Sequence, residues 1–413
     1  MEESGRIKLV IIMHSELTQR WIDYFCLDTL NEEFDLEYWD CSDFVLPCFH
    51  FDKKTERDYV KRIHSNYELW RNLRHLPKDA LISNDVHFNK SNFLFHKILS
   101  HYFPKINYIN FYSNGPDKST PIGFAPSNAI KTRDSFRINS LGIIKVLKGI
   151  IYKNRYMRFV IDYTTHWNNA YHEMLLTKYA DEELSAMYEK YEISCAVGAK
   201  YHINHPDVET YYNYINVARV NDLRNKYIVY IDQFFPFHPD IKEHFPHLNV
   251  ERLANDFYNS LNNFFERVEK KYQCRIIIAT HPLSNFQTNP YGDREMVSNK
   301  TVELIGESIG VLMHSSNALS YAMLFRKPVL MLINQQTEEI DFFNNPIVNT
   351  SRRFSIPIVN IDKEQDITIL PLKEKSYNDY IHTYFGEISP NQYIPNKVLI
   401  VKYLKQVWHD IYG

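Results

Sequence analysis

Two short polar motifs follow apolar runs in the second half of the chain. His281-Pro282 comes one residue after the run at residues 274–279, and Ser315-Ser316 comes one residue after the run at residues 309–313. The motifs are 315 − 281 = 34 residues apart, close to the ~30-residue length of one βαβ unit. Ligands of open α/β sheets bind at the carboxyl ends of the strands. We therefore predict that both motifs line one ligand site.

The residue types of these motifs suit a ligand that carries phosphate. Pro282 restricts the backbone beside the His281 imidazole, which is able to donate a hydrogen bond. Ser315 and Ser316 offer hydroxyl groups, and a helix beginning at Asn317 offers backbone N–H groups to an anion. A plainer interpretation stays open, because a serine pair before a helix often serves only as a helix cap.

Four further polar residues are assigned to the same predicted site. Asp232-Gln233 follow a predicted strand, and His314 immediately precedes the serine pair. Glu303 lies in the first turns of a predicted helix, where its carboxylate would accept a hydrogen bond from a ribose hydroxyl. With these residues the predicted site spans the ends of several consecutive elements.

Strands and helices alternate around the motifs. The second half of the chain is predicted to contain strands at 226–231, 274–279, 309–313 and 328–333, and helices at 251–272, 300–308 and 318–325. Asn249 is a suitable N-cap for the long helix. A terminal helix is predicted within 391–412.

The first half has the same alternation. Strands are predicted at 8–13, 34–40, 80–83 and 106–112, with helices at 54–73 and 93–102 between them. This order predicts a parallel, Rossmann-like sheet, although no GxGxxG dinucleotide fingerprint follows the first strand. The predicted fold class is α/β, with two Rossmann-like lobes, residues 1–220 and 221–413, facing across a cleft.

Composition excludes several classes of protein. The net charge of −3 provides no global attraction to nucleic acid, and the five scattered cysteines suggest neither a disulfide framework nor a zinc site. Neither a signal peptide nor an apolar run long enough to span a membrane is apparent. We expect a cytoplasmic protein that binds no metal.

A basic segment at 141–158 leaves two interpretations open. Its lysines and arginines are mixed with aliphatic residues, a pattern of helices that lie on an anionic membrane or hold a phosphate-bearing acceptor. The same pattern occurs in amphipathic helices whose basic side is only solvated. Peripheral contact with the inner membrane therefore remains an expectation.

The order of His281-Pro282 and Ser315-Ser316 resembles the HP and SS motifs of bacterial sialyltransferases, polysialyltransferases and Kdo transferases. More broadly, residues 227–334 look like transferases of capsule, O-antigen and lipopolysaccharide synthesis. The resemblance implies a GT-B glycosyltransferase that uses a CMP-activated acidic sugar. It implies that His281 assists departure of the nucleotide phosphate and that Ser315 and Ser316 hold it. It also implies an N-terminal acceptor-binding lobe and a C-terminal nucleotide-sugar-binding lobe.

One feature of those sialyltransferases is missing. Their first lobe carries an acidic D/E-D/E-G motif that deprotonates the acceptor, whereas this chain has Ser113-Asn114-Gly115 after its fourth predicted strand. Asp117 or Asp85 would be the substitute carboxylate, and each is equally well explained as a turn or capping residue. Whether the anomeric configuration is retained or inverted therefore stays open.

The resulting hypothesis is a glycosyltransferase that moves a sugar from a nucleotide donor to a surface-glycan or lipid-linked glycan acceptor. The first choice of donor is a CMP-linked sialic-acid-like or Kdo-like sugar, and a UDP- or dTDP-hexose is the alternative. No cofactor is expected, because helix dipoles and side-chain donors can replace a metal. A sugar-nucleotide epimerase and a non-catalytic scaffold of polysaccharide assembly are the other hypotheses.

Overall fold

The structure is a computed structural model. It describes residues 5–45, 54–86, 92–102, 107–112, 173–176, 199–217, 227–238, 241, 245, 247–338, 340–363, 367–385 and 393–413. The chain forms two compact units. The first comprises the described residues up to Asn204 together with Ile394–Gly413, and the second comprises the described residues of His205–Tyr393.

The first unit is built on parallel strands joined by helices. Its elements up to His202 are β1 (Lys8–Met13), α1 (Gln19–Phe25), α2 (Leu27–Glu33), β2 (Asp35–Asp40), α3 (Ser42–Val45), β3 (Val60–Arg62), α4 (Asn66–His75), β4 (Leu81–Asn84), α5 (Phe93–Tyr102), β5 (Asn107–Tyr112), β6 (Glu173–Leu176) and β7 (Ala199–His202). The described strands form a seven-stranded sheet of order β3-β2-β1-β4-β5-β6-β7. All of its strand pairs are parallel.

The helix predicted at 54–73 is wrong in its first half. Residues Val60–Arg62 form β3 instead, which pairs with the end of β2. The helix that follows begins only at Asn66, because the Ser65 side chain accepts a hydrogen bond from the Glu68 backbone N–H at 3.2 Å. The Glu68 carboxylate in turn accepts from the His64 N–H at 2.8 Å. These two hydrogen bonds, which resemble a capping box but reach the residue before the N-cap, set the start of α4.

The second unit repeats the architecture. Its elements are α6 (Pro206–Val217), β8 (Tyr227–Ile231), α7 (Val250–Tyr272), β9 (Arg275–Ala279), β10 (Met296–Val297), α8 (Thr301–Glu307), β11 (Gly310–Met313), α9 (Leu319–Leu324), β12 (Val329–Ile333), α10 (Gln335–Glu338), α11 (Asp341–Phe354), β13 (Ile358–Asn360) and α12 (Glu374–Phe385). The described strands form a six-stranded parallel sheet of order β10-β9-β8-β11-β12-β13.

Apolar strands and the long helix α7 form the core of the second unit. The strands are near-continuous aliphatic runs because helices cover both faces of a parallel sheet. Phe257, Leu261, Phe264 and Val268 recur at helical spacing on α7 and are fully buried in this core. Asn249 accepts a hydrogen bond from the Arg252 N–H at 3.1 Å, which confirms the predicted cap.

The last helix, α13 (Asn396–Tyr412), belongs to the first unit. Its residues Ile400, Leu404 and Val407 lie in the core formed by β1, β2, α1 and α2. The sequence-based division at 220/221 therefore differs from the structure at two places: α6 lies in the second unit and α13 in the first. Among the described helices, none has the length and apolar character needed to cross a membrane.

Candidate functional site

The carboxyl edge of the second sheet gathers several of the residues predicted from the sequence. Asp232 follows β8, His281 follows β9 by one residue, and Ser315 follows β11 by one residue. β8 lies between β9 and β11 in the sheet, so the two outer strand ends are about 10 Å apart, two strand spacings. The chain order reverses direction between β8 and β11, and such a switch point is where ligands of open α/β sheets bind.

The backbone of the His281 turn determines which ring nitrogen carries the proton. The Leu283 N–H donates to His281 Nδ1 at 3.2 Å, so Nδ1 is an acceptor and the neutral ring carries its proton on Nε2. The His238 ring lies edge-on to this imidazole, with centroids 5.1 Å apart. His281 is half-buried and Pro282 is exposed. The turn therefore holds a histidine in the tautomer that donates from Nε2.

The Asp232 carboxylate holds this turn in place through hydrogen bonds. It is 3% exposed, and its Oδ2 accepts hydrogen bonds from the His281 backbone N–H at 3.2 Å and the Ser284 hydroxyl at 2.8 Å. Its Oδ1 accepts from the Phe234 N–H at 2.7 Å and from the Tyr291 hydroxyl at 2.8 Å. The carboxylate thus joins the end of β8 to the turn after β9. Gln233, beside it, is half-buried.

Tyrosines beneath the site keep their protons. Burial, and next the nearby Asp232 carboxylate, raise the pKa of Tyr230, Tyr258 and Tyr291 well above its usual range. The protonated Tyr291 hydroxyl donates to Asp232, and that of Tyr258 donates to the Phe235 carbonyl at 2.9 Å. The Tyr258 and Tyr291 phenols act as fixed donors that hold the loop after β8.

The serine pair lies at the end of β11, before a short helix. Helix α9 has Ala318 at its N-cap and no side-chain capping hydrogen bond, so the serine pair does not cap it. Ser316 Oγ accepts a hydrogen bond from the Ala318 N–H at 3.2 Å, within a local turn. Its O–H still has a proton to donate. Ser315 is half-buried and Asn317 is exposed. The following helix, α9, has only 6 residues and begins at Leu319, two residues after Asn317.

His314 is a buried residue whose contacts are with the protein interior. It is 1% exposed, its Nδ1–H donates to the Leu332 carbonyl at 2.8 Å, and its ring packs against Tyr230 and Phe257 at centroid distances of 6.1 and 5.3 Å. Burial lowers the pKa of His314 to about 4. The ring is therefore neutral at physiological pH and buried behind the predicted phosphate site.

The remaining predicted residues lie elsewhere. Glu303 is half-buried in the first turn of α8. Asp85 belongs to the first unit, where it follows β4 and its backbone N–H donates to the Ile12 carbonyl at 2.8 Å. Asp117, the Ser113-Asn114-Gly115 stretch and the basic segment 141–158 lie outside the described residues.

Sequence reasoning missed several side chains at these two sheet edges. Ser284 and Tyr291 contact Asp232 across sequence separations of 52 and 59 residues, so no local pattern indicates them. His238 also escaped notice. His14 was detectable, because it follows β1 much as His281 follows β9. In the described part of the chain no cluster of three or more His, Cys, Asp or Glu residues is arranged to hold a metal ion.

Several solved structures are similar to this chain along most of its length. The wall teichoic acid polymerase TagF is similar with a TM-score of 0.51 at 12% identity, over 98% of this chain and 90% of that one. UDP-N-acetylglucosamine 2-epimerase from Rickettsia bellii has a TM-score of 0.45 at 12% identity, over 98% of this chain and 97% of that one. The Methanocaldococcus jannaschii UDP-GlcNAc 2-epimerase has a TM-score of 0.44 at 10% identity, over 97% of this chain and 100% of that one.

No protein-family model matches the sequence, and no curated protein matches it. The likeness to TagF, at low identity, is a likeness of fold. It confirms the α/β class with two Rossmann-like units, the GT-B type of fold.

Proposed function

We propose that this protein is a nucleotide-sugar-dependent glycosyltransferase whose second unit binds the donor. The observation that carries the proposal is the His281 turn. It holds an Nε2–H donor at the carboxyl edge of a Rossmann-like sheet, with Asp232 under its backbone. The hydroxyls of Ser315 and Ser316 follow β11, on the other side of β8. Hydrogen-bond donors at such an edge suit a nucleotide phosphate.

The residues would act on the departing phosphate. An acceptor hydroxyl gives up its proton to a base as its oxygen forms a bond to the anomeric carbon, and the bond from that carbon to the donor's phosphate oxygen breaks. The phosphate leaves with the electron pair, and the His281 Nε2–H hydrogen-bonds to it as its charge develops. Ser315 and Ser316 hold the other phosphate oxygens. Because these donors supply the stabilisation, we propose that the reaction needs no metal.

The order of the His-Pro and Ser-Ser motifs supports a CMP-linked sialic-acid-like or Kdo-like sugar as the donor. A UDP- or dTDP-linked hexose is the alternative within the same reaction. The proposed acceptor is a bacterial surface glycan, free or lipid-linked, and the proposed place of action is the cytoplasm, with peripheral contact at the inner membrane.

A sugar-nucleotide epimerase is the second candidate. It is favoured by Glu16 and Asp85, two carboxylates that follow β1 and β4, neighbouring strands of the first sheet. Such an enzyme would convert the sugar of its nucleotide donor without an acceptor. A product that stays attached to the nucleotide and differs only in configuration would identify this reaction.

Nucleotide binding tests the proposal. Thermal unfolding of wild-type protein and His281→Ala is followed with CMP, UDP, dTDP and GDP. One nucleotide should stabilise the wild type, and its Kd should rise about 10- to 100-fold in the variant, because a hydrogen bond to a charged group contributes about 1.5–3 kcal/mol. His382→Ala is the matched control, since His382 is an exposed histidine of α12 in the same unit.

The outcomes separate the alternatives. Stabilisation by CMP alone supports the acidic-sugar donor, whereas stabilisation by UDP or dTDP supports the hexose donor. If His281→Ala binds the nucleotide as tightly as His382→Ala does, the role of His281 is wrong. If no nucleotide stabilises the wild type, the enzyme assignment itself fails and a scaffold role is favoured.

A further inference from the structure

Two helices of the first unit lie side by side on one face of its sheet. α4 connects β3 to β4, and α5 connects β4 to β5. Both connections run in the same direction along the sheet, and right-handed crossovers of one direction place their helices on the same face. The two helices accordingly contact each other. We call their outer side the α4/α5 face, and its residues used below are Tyr67, Trp70, Arg71, Arg74, Leu94 and Lys97.

Aromatic and guanidinium groups are stacked along α4. The centroids of the Tyr67 and Trp70 rings are 5.8 Å apart, and Arg74 Cζ lies 4.6 Å from the centroid of the Trp70 ring. Positions three and four apart are neighbours on one side of a helix, so these groups form a continuous stripe. Tyr67 is 66% exposed, and Leu94 of the neighbouring helix is 52% exposed. Large exposed apolar groups that lie together in this way mark interaction sites.

The same face is positively charged. α4 and α5 together carry three arginines and lysines against one acidic residue, Glu68, although the whole chain has a net charge of −3. The Glu68 carboxylate is already engaged at the start of α4, where it accepts from the His64 N–H. Neither Arg71 nor Arg74 forms an ion pair with a carboxylate of the described residues. The charge of this face is therefore not neutralised by the described part of the chain.

Other arginines of this unit differ in that respect. Arg57 pairs with Asp28 at 3.1 Å, and Arg62 pairs with Glu56 at 3.3 Å. The unit thus has carboxylates for its arginines beside α4 but none for those on the outer side of α4. An exposed surface that combines unpaired guanidinium groups with aromatic and aliphatic side chains suits an anionic partner that is also partly apolar.

An anionic lipid bilayer has both properties. Its headgroup phosphates attract arginine and lysine, and the boundary between headgroups and hydrocarbon suits tyrosine and tryptophan, which have an apolar ring and a polar end. A soluble anion would bind the cations and leave Tyr67 and Leu94 in water. A second copy that docked through the same face would bring like charges opposite each other, which opposes association.

We propose that the α4/α5 face docks the protein on a membrane that contains anionic phospholipid. The aromatic and leucine side chains enter the boundary region of the bilayer, and the three cations bind lipid phosphates. This inference deepens the proposed function and rests on it for its purpose, because a lipid-linked acceptor is held in such a membrane.

Vesicle binding tests the charge of the face. The full-length protein is sedimented with vesicles of phosphatidylcholine alone, or of phosphatidylcholine with about 30% phosphatidylglycerol as the anionic lipid. The wild type should bind the anionic vesicles, and added salt should weaken this binding because it screens surface charge. One cation near an anionic membrane changes affinity about fivefold, so Arg71→Gln/Arg74→Gln/Lys97→Gln should bind about 100-fold more weakly.

The control removes the same charge from the other face of the sheet. Arg20 of α1 and Lys397 and Lys402 of α13 are exposed, and both helices pack on the core that contains Leu9 and Ile11 of β1. Arg20 also matches Arg74, since its Cζ lies 5.8 Å from the centroid of the Trp21 ring. Arg20→Gln/Lys397→Gln/Lys402→Gln should bind anionic vesicles as the wild type does.

Two further variants test the apolar side chains. Tryptophan emission should shift to shorter wavelength when anionic vesicles are added, and Trp70→Phe, which keeps a ring beside Arg74, should lose that shift. Tyr67→Ser/Leu94→Ser should bind at least about 10-fold more weakly, because less apolar surface leaves water on docking. Circular dichroism and thermal unfolding establish that each variant is folded.

The outcomes are distinct. Equal losses in the two triple variants would mean that net charge alone drives binding, and would overturn the proposal. Equal binding of the wild type to neutral and anionic vesicles, or binding to neither, also overturns it. If Tyr67→Ser/Leu94→Ser converts a dimer into a monomer, the face is an interface between copies and the inference is wrong. Nucleotide stabilisation tests the proposed function separately, so a protein that binds vesicles but no nucleotide would overturn that function and leave the docking face standing.

Discussion

His14, His281 and His314 each follow a parallel strand, and the backbone group that faces Nδ1 is an N–H for His281 and a carbonyl for the other two. His281 Nδ1 accepts from the Leu283 N–H, whereas His14 Nδ1 donates to a carbonyl. His314 Nδ1 also donates to a carbonyl, but its ring is buried. One residue type thus carries its neutral-ring proton on Nε2 in His281 and on Nδ1 in His14, and serves as a neutral packing group in His314. The difference arises from a single neighbouring atom and from access to solvent.

His314 should make stability depend on pH. Its folded-state pKa of about 4 lies below the ordinary 6.5, so the unfolded chain binds this proton more readily. The stabilisation is fully present above pH 6.5 and is lost as pH falls toward 4. The loss should total about 3 kcal/mol, from about 1.4 kcal/mol for each pKa unit. Urea unfolding at several pH values measures it.

His314→Asn is the comparison for that slope. The asparagine amide can still donate to the Leu332 carbonyl but does not titrate. The free energy of unfolding of this variant should fall less steeply between pH 6.5 and 4 than that of the wild type. Parallel curves for the two proteins would show that His314 is not the titrating group.

At the scale of elements, the end of β8 and the turn after β9 depend on one carboxylate. Asp232 accepts four hydrogen bonds from residues of both segments, and its backbone N–H donates to the Ala279 carbonyl at 3.0 Å. The position of His281 is therefore a property of two loops joined together. The end of β9 sets where His281 lies, and the loop after β8 orients it through Asp232.

Asp232→Asn should loosen this junction. The amide nitrogen would face donors where a carboxylate oxygen now accepts, leaving buried donors unpaired at a cost of about 3 kcal/mol. Tyr291→Phe, which removes only one donor to the same carboxylate, should cost about 1 kcal/mol. Urea unfolding measures both, and nucleotide affinity should fall in Asp232→Asn. Equal stability losses in the two variants would contradict the linking role of Asp232.

For the whole molecule, the C-terminal helix completes the first unit. Leu404 of α13 is fully buried in the core that contains β1 and α2. The helix also donates from the Trp408 indole to the Asp79 carbonyl at 3.1 Å, and from the Tyr412 hydroxyl to the Lys78 carbonyl at 3.0 Å. The chain therefore leaves the first unit at Asn204 and returns to it at Ile394.

Leu404→Ala should destabilise the first unit selectively. Truncating a buried leucine costs about 2–5 kcal/mol, whereas Val398→Ala on the same helix should cost under about 0.5 kcal/mol because Val398 is 50% exposed. Hydrogen exchange should show faster exchange in β1 and α2 of Leu404→Ala, with β8 and β9 protected as in the wild type. Equal loss of protection in both units would mean that they unfold together.

Local patterns were sufficient for much of the fold and for placing His281 and Ser315 at the ends of strands. Aliphatic runs predicted β1, β8, β9, β11 and β12, because buried parallel strands must be apolar along their length. The N-cap at Asn249 predicted the start of α7, since capping involves atoms only three residues apart. The His281 and Ser315 motifs were found because each lies at the end of such a strand.

Only the tertiary structure decided the relations between distant residues. The strand order brings β8 between β9 and β11, and it brings Asp232 to Tyr291 across 59 residues. The tautomers of His14 and His281 depend on backbone atoms whose positions follow from folding, and the unit joined by α13 depends on which core its apolar side completes. Periodicity reports whether a segment is buried, but the neighbour that buries it is selected by packing and strand pairing of the whole chain.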